Sequence, residues 1–146
     1  MINAEKLGKL ECTNNNFFVY DDYFNKYISP NILNIKGSCC NINPCDSDEM
    51  TDYIETLKVF NQLNIKPYIV ITSMNGYFYD YVGLSKEKRY ELYNKLDETA
   101  RNYGLDILNL KEYEYEPYFY KDVMHLGWKG WIFINEQISK YFSKNI

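Results

Sequence analysis

The chain has 146 residues, of which 46% are hydrophobic and 25% charged, and its formal net charge is −4. This length suits one domain with its own core, and the composition is typical of a globular protein rather than a disordered one. The basic residues are dispersed and include only two arginines, so nothing resembles a patch that would neutralise the phosphates of a nucleic acid. No segment has the apolar length of a signal-peptide core or a membrane span, so the sequence as written predicts a soluble protein.

Residues 1–45 predict an irregular or helical lead-in. The pattern favours one helix there, from Asp22 to Ile28, between Asn- and Gly-rich connections. All four cysteines lie in this region, without the paired Cys-x-x-Cys spacing of a structural zinc site and far from the only histidine. We therefore expect no metal, and free thiols in preference to a disulfide from Cys45 to Cys39 or Cys40.

Regular elements begin at Asp46 with a predicted helix. Ser47 or Asp48 can cap its start, and the pattern ends near Asn64. Its apolar face repeats at helical spacing and consists of Met50, Tyr53, Ile54, Leu57 and Phe60. The β-branched, apolar residues 68–72 then predict a buried parallel strand.

The Asn75-Gly76 pair predicts a tight turn that opens an aromatic loop over residues 77–81. Ser85 can cap a second helix, for which Gly104 supplies the stop. The apolar face of that helix is Tyr93, Leu96, Ala100 and Tyr103. Residues 105–110 predict a second strand, and residues 111–124 a charged, aromatic loop. A last helix carries Trp131, Ile134, Ile138 and Phe142 on one face.

This alternation of helices and strands predicts an α/β fold with right-handed crossovers, arranged as a single domain over residues 1–146. Loops that follow parallel strands gather at one rim of the sheet, where ligands bind. Two strands make a small sheet, so residues 46–146 look like the C-terminal part of a larger parallel sheet whose first strands lie outside this chain.

His125, the only histidine, follows Asp122 by three residues in the loop before the last helix. Imidazole is the side chain best suited to moving protons near neutral pH. A carboxylate beside it can accept a hydrogen bond from one ring nitrogen and fix the tautomer, so the other nitrogen can face a nucleophile. The pair therefore predicts part of a catalytic triad.

A nucleophile for this pair is not evident. Ser38, Cys39 and Cys40 lack the strand-turn-helix setting or the nearby cation that would activate them, and Ser73 at a strand end is typical of a turn. Three alternating acidic residues in the 111–124 loop could suggest glycoside hydrolysis, but a solvated acidic loop is the simpler interpretation. These residues are Glu112, Glu114 and Glu116. Lys129 is interpreted as a solvated helix residue.

The residues around the Asp122 and His125 pair resemble the C-terminal signature of the DltD family of D-alanyl-lipoteichoic acid biosynthesis proteins. The motifs that carry this resemblance are Glu114-Tyr115-Glu116-Pro117-Tyr118-Phe119, Lys121-Asp122 and His125-Leu126-Gly127-Trp128-Lys129-Gly130-Trp131. Upstream, the family's Asn-Gly and Tyr-Asp-Tyr-x-Gly pattern resembles Asn75-Gly76 and Tyr79-Asp80-Tyr81-Val82-Gly83. Thr13-Asn14-Asn15 and Tyr23-Phe24 also fit, so the resemblance covers essentially the whole chain.

The resemblance implies a three-layer α/β/α sandwich like that of SGNH hydrolases and a Ser-Asp-His triad, with His125 as general base and Asp122 as its orienting partner. The family's nucleophilic serine lies in an N-terminal portion that this chain does not contain. Asn75, Tyr79 and Trp128 are candidates for contacting the substrate. The alternatives are a turn role for Asn75 and helix packing for Trp128. No cofactor is implied.

The resemblance also implies partners and a location. The family serves D-alanylation of teichoic acids, so teichoic acid and the D-alanyl donor and carrier machinery of the membrane are the expected partners, together with the missing N-terminal half. Its members are anchored by a membrane helix and face outside the cell, whereas this chain shows no such helix.

We therefore expect the C-terminal part of a DltD-like acyltransferase that is inactive alone because the serine is absent. The alternative is a non-catalytic binding fragment or standalone module that uses the aromatic rim. A third possibility, a thiol redox or metal module, would use Cys39, Cys40 and Cys45.

Overall fold

The computed structural model describes residues 3–144 of the chain. It begins with helix α1 (Ala4–Glu11) and a helical stretch made of α2 (Asp21–Tyr23), a π-helical segment (Phe24–Ile28), a 3₁₀ turn (Ser29–Asn31) and α3 (Ile32–Ile35). Then follow α4 (Asp48–Gln62), β1 (Ile69–Ile71), α5 (Gly76–Val82), α6 (Lys86–Asn102), β2 (Ile107–Asn109), a 3₁₀ turn (Lys111–Tyr113) and α7 (Trp128–Lys144). Within the described residues, no helix is both long and apolar enough to cross a lipid bilayer.

The two strands form a parallel sheet, as expected from the alternation of elements. Ile69 pairs with Ile107, and Ile71 with Asn109, while α5 and α6 make the connection between the strands. Both strands are shorter than the apolar runs that predicted them. The α/β class is confirmed at this level, and the strand order places the β1–α5 and β2–α7 loops at the same end of the sheet.

Helices cover both faces of this sheet. On one face Ile69 and Ile107 pack with α4 and α6, around the buried residues Leu57, Ala100 and Leu105. On the other face Val70 and Leu108 pack with α7 and the β2–α7 loop. The buried residues of this second core are Leu110, Phe119, Tyr120, Leu126 and Ile134. The alternation of strand side chains thus divides the interior into two cores.

The predicted tight turn and aromatic loop after β1 are wrong, because residues 76–82 form helix α5. Asn75 is its N-cap, with φ −71°, and the side-chain oxygen accepts a hydrogen bond from the Phe78 N–H at 3.0 Å. Gly83 ends the helix in the left-handed conformation at φ 88°, which favours glycine. An Asn-Gly pair is typical of tight turns, but the same asparagine serves equally well as a helix cap.

The lead-in is more ordered than its composition predicted. Helix α1 was not expected from its polar sequence; it is capped by Asn3, whose side chain accepts from the Lys6 N–H at 3.0 Å, and it packs against α7. Gly8 allows α1 to approach the β2–α7 loop closely, since a Cβ there would lie 2.5 Å from the Cβ of Tyr118. The helix predicted from Asp22 to Ile28 is confirmed within the longer helical stretch.

Arg89 on α6 is completely buried and joins three parts of the chain. Its Nε and Nη2 donate to the two carboxylate oxygens of Glu114 at 2.8 and 2.9 Å, and Nη1 donates to Asp80 at 2.9 Å. The Leu84 carbonyl and the Tyr115 hydroxyl accept the remaining N–H groups, so all five donors have partners.

The same contacts correct the prediction of a solvated acidic loop. Glu114 is wholly buried, and besides Arg89 it accepts a hydrogen bond from the Tyr93 hydroxyl at 2.8 Å. Burial lowers the pKa of Arg89, but the hydrogen bonds and charges of Glu114 and Asp80 outweigh this and raise it, so the guanidinium stays charged. Lys129 is likewise not merely solvated, since it bonds Glu116 and, at 3.2 Å, the Pro117 carbonyl.

Replacing Arg89 should therefore cost far more stability than replacing the chain's other arginine. Arg89→Met leaves Glu114 buried without its partner, and we expect the free energy of unfolding to fall by about 3–5 kcal/mol. Arg101→Met is the matched control, because Arg101 lies on the same helix with 61% of its side chain exposed and pairs with Asp97. Its loss should be about 0.5 kcal/mol or less. Equal losses in denaturant unfolding followed by circular dichroism would contradict the assignment.

Candidate active site

The candidate site lies in the loop between β2 and α7. Tyr120 and Leu126 form an isolated antiparallel bridge that closes the loop, and the Lys121 N–H donates to the His125 carbonyl at 2.9 Å. Gly127 follows in a crowded position, where a Cβ would lie 3.1 Å from the Tyr120 carbonyl carbon. Residues 121–125 are thereby held as a tight, well-defined turn.

Two contacts from outside the loop set its position. The Tyr20 N–H donates to the Lys121 carbonyl at 2.9 Å, and the Asn75 N–H donates to the Val123 carbonyl at 3.0 Å. Val123 also packs with the aromatic core that surrounds Phe17 and Val19. The lead-in segment and the start of α5 therefore both support the turn that carries the predicted pair.

The structure brings Asp122 and His125 into direct contact. His125 Nδ1 lies 2.9 Å from Oδ2 and 3.0 Å from Oδ1 of Asp122. The same carboxylate accepts the backbone N–H groups of Met124 at 2.9 Å and His125 at 2.7 Å. Asp122 is thus fixed in place by the turn before it meets the imidazole.

Exposure differs sharply between the two partners. The Asp122 side chain is 12% exposed, whereas that of His125 is 74% exposed. A carboxylate has no proton to donate, so the neutral imidazole bonds it as the Nδ1–H tautomer. Nε2 then carries the lone pair, and it makes no hydrogen bond with the part of the chain that the structure describes. This arrangement can accept a proton at Nε2 and stabilise the resulting imidazolium at Nδ1.

An apolar pocket of about 360 Å³ opens beside His125. Val70 and Thr72 at the end of β1 form one side, and Trp131, Ile134 and Ile138 of α7 form the other. Val70 and Thr72 were not among the site residues expected from the sequence. The available signal was the position of Thr72 at the carboxyl end of a predicted parallel strand, where ligands bind.

Tyr79, predicted to contact the substrate, lies near the pair but is half-buried. Burial first, and then the neighbouring Cys39, Tyr23 and Asp122, raise the pKa of Tyr79 to about 12. Its hydroxyl therefore keeps its proton at neutral pH and can act as a hydrogen-bond donor, not as a base. A substrate contact by Tyr79 stays a prediction.

Asn75 and Trp128 occupy different environments. Asn75 is 1% exposed, and its side-chain amide donates to the Phe17 carbonyl at 2.8 Å while its oxygen caps α5. Both polar atoms therefore already have partners. Trp128 is 52% exposed at the first position of α7, where a ligand could reach its ring. Substrate contacts by these two residues also stay predictions.

The nucleophile candidates within the chain do not meet His125. Ser73 is 2% exposed, and its hydroxyl bonds the Tyr120 hydroxyl at 2.5 Å. The Ser38 hydroxyl lies 3.7 Å from Cys39 Sγ.

All four cysteines are free thiols. Burial raises the pKa of the Cys12 thiol to about 12, which disfavours its thiolate. Among residues 3–144, no three His, Cys, Asp or Glu side chains cluster in a way that could hold a metal ion.

Comparison with known proteins assigns the chain to a family. The profile of the DltD protein family matches residues 1–143. The chain belongs to the DltD family. It is 30% identical over 139 residues to Protein DltD of Bacillus subtilis strain 168, covering 95% of this chain and 35% of that protein. The Staphylococcus aureus strain NCTC 8325 / PS 47 protein of the same name is 31% identical over 139 residues, covering 94% of this chain and 34% of the relative.

A third DltD protein, from Lacticaseibacillus rhamnosus, is 26% identical over 139 residues, with coverage of 94% of this chain and 33% of the relative. The chain thus spans about a third of the length of the curated relatives it matches. The resemblance noted from the sequence motifs is confirmed. A chain of this extent represents one part of the DltD proteins it matches.

The Asp122 contact should control the tautomer of His125. Because the chain has a single histidine, its two ring nitrogens give an unambiguous ¹⁵N spectrum. With the ring neutral, we expect the Nδ1–H form to predominate, and Asp122→Asn should increase the Nε2–H form by removing the charged acceptor. Asp52→Asn, at an exposed position of α4, is the matched control and should leave both shifts unchanged. Identical ring shifts in wild type and Asp122→Asn would contradict the geometry.

Proposed function

We propose that this chain contributes the acid-base pair of an ester-transfer site in a DltD protein that attaches D-alanine to teichoic acid. The observation that carries the proposal is the contact of His125 Nδ1 with a largely buried Asp122 carboxylate, which leaves Nε2 of the exposed imidazole without a hydrogen bond among the described residues. Family membership supplies the reaction class, since the motifs that resemble the DltD family surround this pair.

The chemistry follows from the two faces of the imidazole. Nε2 accepts the proton of a serine hydroxyl as that oxygen attacks the carbonyl carbon of a D-alanyl ester or thioester. Asp122 stabilises the imidazolium through Nδ1–H. The proton passes to the leaving oxygen or sulfur, and the acyl-serine then transfers D-alanine to a hydroxyl of the teichoic acid. Each D-alanyl ester adds an ammonium group to the anionic polymer.

The serine is proposed to come from a segment outside this chain. Ser73 is buried against Tyr120, and Ser38 bonds Cys39, so neither is positioned to give its proton to His125. The proposal includes the three-layer SGNH-like sandwich, of which β1, β2 and the helices on their two faces would be one part. It also includes a membrane-anchored protein whose site faces outside the cell, with the D-alanyl carrier machinery as partner.

Two measurements test the function. The purified chain alone should hydrolyse simple esters no faster than its His125→Ala variant, because the attacking group is absent.

A chimera in which this chain replaces the stretch it matches in the Bacillus subtilis relative should restore ester-linked D-alanine to teichoic acid in cells that lack their own DltD protein.

In that chimera, His125→Ala should reduce D-alanine incorporation by roughly 10²- to 10⁴-fold, the usual contribution of a general base. Asp122→Ala should also reduce it, whereas Asp52→Ala on the surface of α4 should not. Esterase activity of the isolated chain that survives His125→Ala would overturn the proposal. So would a chimera that keeps full activity without His125, and that result would favour a non-catalytic binding role.

A further inference from the structure

A second pocket, of about 320 Å³, lies between the lead-in and α5. Three consecutive asparagines and three aromatic side chains line it, and we name it the asparagine pocket. The asparagines are Asn14, Asn15 and Asn16, and the aromatic residues are Phe17, Phe24 and Tyr81. Parts of the Thr13-Asn14-Asn15 and Tyr23-Phe24 motifs therefore meet at one place, although the proposed function gives neither motif a role.

The loop that carries the asparagines is held in shape by a carboxylate. Asp21 accepts hydrogen bonds from the backbone N–H groups of Thr13 at 2.8 Å and Asn14 at 3.2 Å, and also from the Thr13 hydroxyl. Asn15 supports the same loop, since its side-chain amide donates to the Val19 carbonyl at 2.8 Å. The loop is thus formed by the chain's own contacts, and Asn15 belongs to its scaffold.

The other two asparagines retain hydrogen-bonding groups for a ligand. The Asn16 side chain is exposed and makes no hydrogen bond with the part of the chain that the structure describes. Asn14 gives one of its two amide protons to Asn25 at 3.0 Å, so the other is free. A carboxamide both donates and accepts, which is what a hydroxyl group requires of a partner. Two such amides at one pocket suit a ligand with several hydroxyl groups.

The aromatic side chains give the pocket an apolar surface. The Phe17 ring centroid lies 5.5 Å from that of Tyr81 and 6.2 Å from that of Phe24. The Tyr81 hydroxyl donates to the Ile32 carbonyl at 2.8 Å, which fixes its ring. Phe24 is half-buried and begins the π-helical segment, a rare conformation that is frequent at functional sites. The negative faces of such rings attract the polarised C–H groups of a hydroxylated ligand.

The charge of the pocket narrows the class of ligand. Among residues 3–144, no charged side chain lines it. A phosphate or carboxylate ligand would lack the cation that normally binds it, and an ammonium ligand would lack a carboxylate. A wholly apolar ligand would cover the asparagine amides without bonding them, which is costly. The volume is at the lower end of the range for small-molecule sites, about 300–1,000 Å³, so it fits a single small unit.

We infer that the asparagine pocket binds one neutral hydroxylated unit, a sugar ring or a short polyol. The side-chain amides of Asn14 and Asn16 bond its hydroxyl groups, and the ring of Phe24 packs against its C–H groups. Such a unit reaches the pocket either as a free saccharide or as part of a teichoic acid chain. The second form rests on the proposed function, in which the pocket holds the polymer on which His125 acts.

NMR spectra of the ¹⁵N-labelled chain test binding directly. D-glucose and glycerol are the probes, and inorganic phosphate is the comparison. We expect either probe to shift the side-chain amide signals of Asn14 and Asn16 in a saturable way, with the millimolar dissociation constant usual for so small a neutral ligand. Phosphate should leave both signals in place. Absence of saturable shifts with both probes, or shifts with phosphate alone, would overturn the inference.

Two variants assign the binding to the pocket. Asn16→Ala removes an exposed side chain that bonds no described residue, so the fold should persist while affinity falls about 2- to 10-fold. Phe24→Leu keeps an apolar side chain but removes the ring, and it should also weaken binding. Asn34→Ala is the matched control, because Asn34 is an exposed asparagine of the same lead-in that does not line the pocket. Equal affinities of the wild type and both pocket variants would contradict the assignment.

Competition distinguishes the two forms of the ligand. A teichoic acid chain freed of D-alanine should displace glucose from the Asn16 amide if the pocket takes a unit of the polymer. It should also bind more tightly than the free saccharide, because many equivalent units are linked together. A polymer that does not compete with bound glucose would assign the pocket to a free saccharide.

The binding test is independent of catalysis. It uses the chain alone and should give the same affinity in the His125→Ala variant, which lacks the proposed base. Glucose binding that Asn16→Ala weakens, together with a chimera that is inactive although it carries His125, would support the pocket and contradict the proposed function. A fully active chimera, together with a chain whose amides do not respond to glucose or glycerol, would do the reverse.

Discussion

The buried guanidinium of Arg89 is the constraint on which the site depends. Its ion pair with Glu114 joins α6 to the start of the β2–α7 loop, and its bond to Asp80 joins both to α5. Removing charges from water is costly, and the geometry offsets that cost only because every N–H of the guanidinium has an acceptor. A network this complete fixes relative positions more than it adds net stability.

Backbone hydrogen bonds connect the Arg89 network to the turn that carries Asp122 and His125. At the start of α5, the Gly76 N–H donates to the Glu114 carbonyl at 2.8 Å, and the adjacent Asn75 N–H donates to the Val123 carbonyl at 3.0 Å. One end of α5 therefore holds the loop at two points, one beside Arg89 and the other beside Asp122. Gly76 permits this approach, since a Cβ there would lie 2.8 Å from the Tyr115 ring.

Periodicity predicted helices α4, α6 and α7 because each of their apolar faces is long enough to repeat. Helices α4, α6 and α7 have 15, 17 and 17 residues, whereas the missed helices α1 and α5 have 8 and 7. Short helices depend on caps and on tertiary contacts, which a local pattern does not reveal. At α5 the capping asparagine was recognised but assigned to a turn, and the left-handed Gly83 that ends the helix was overlooked.

The candidate site, like the helices, was predictable only where its contacts are local in the sequence. Asp122 and His125 are three residues apart, so their contact is local and could be anticipated from sequence. The buried pair of Arg89 and Glu114 is separated by 25 positions, and no local pattern connects them. A signal did exist, because Arg89 lies at helical spacing from the buried Tyr93 and Ala100, and a charge on a buried helix face requires a partner. The position of Thr72 at the end of a predicted strand marked one side of the apolar pocket, but its other side could not be anticipated, since β1 and α7 come together only in the fold.

The candidate site combines a rigidly held carboxylate, Asp122, with an exposed imidazole, His125. Arg89, Asn75 and Tyr20 fix the turn that carries Asp122, so the carboxylate has little freedom. The imidazole beside it is 74% exposed and borders the apolar pocket between β1 and α7. A general base that is oriented on one side and free on the other acquires a function only when a reacting group reaches its free nitrogen.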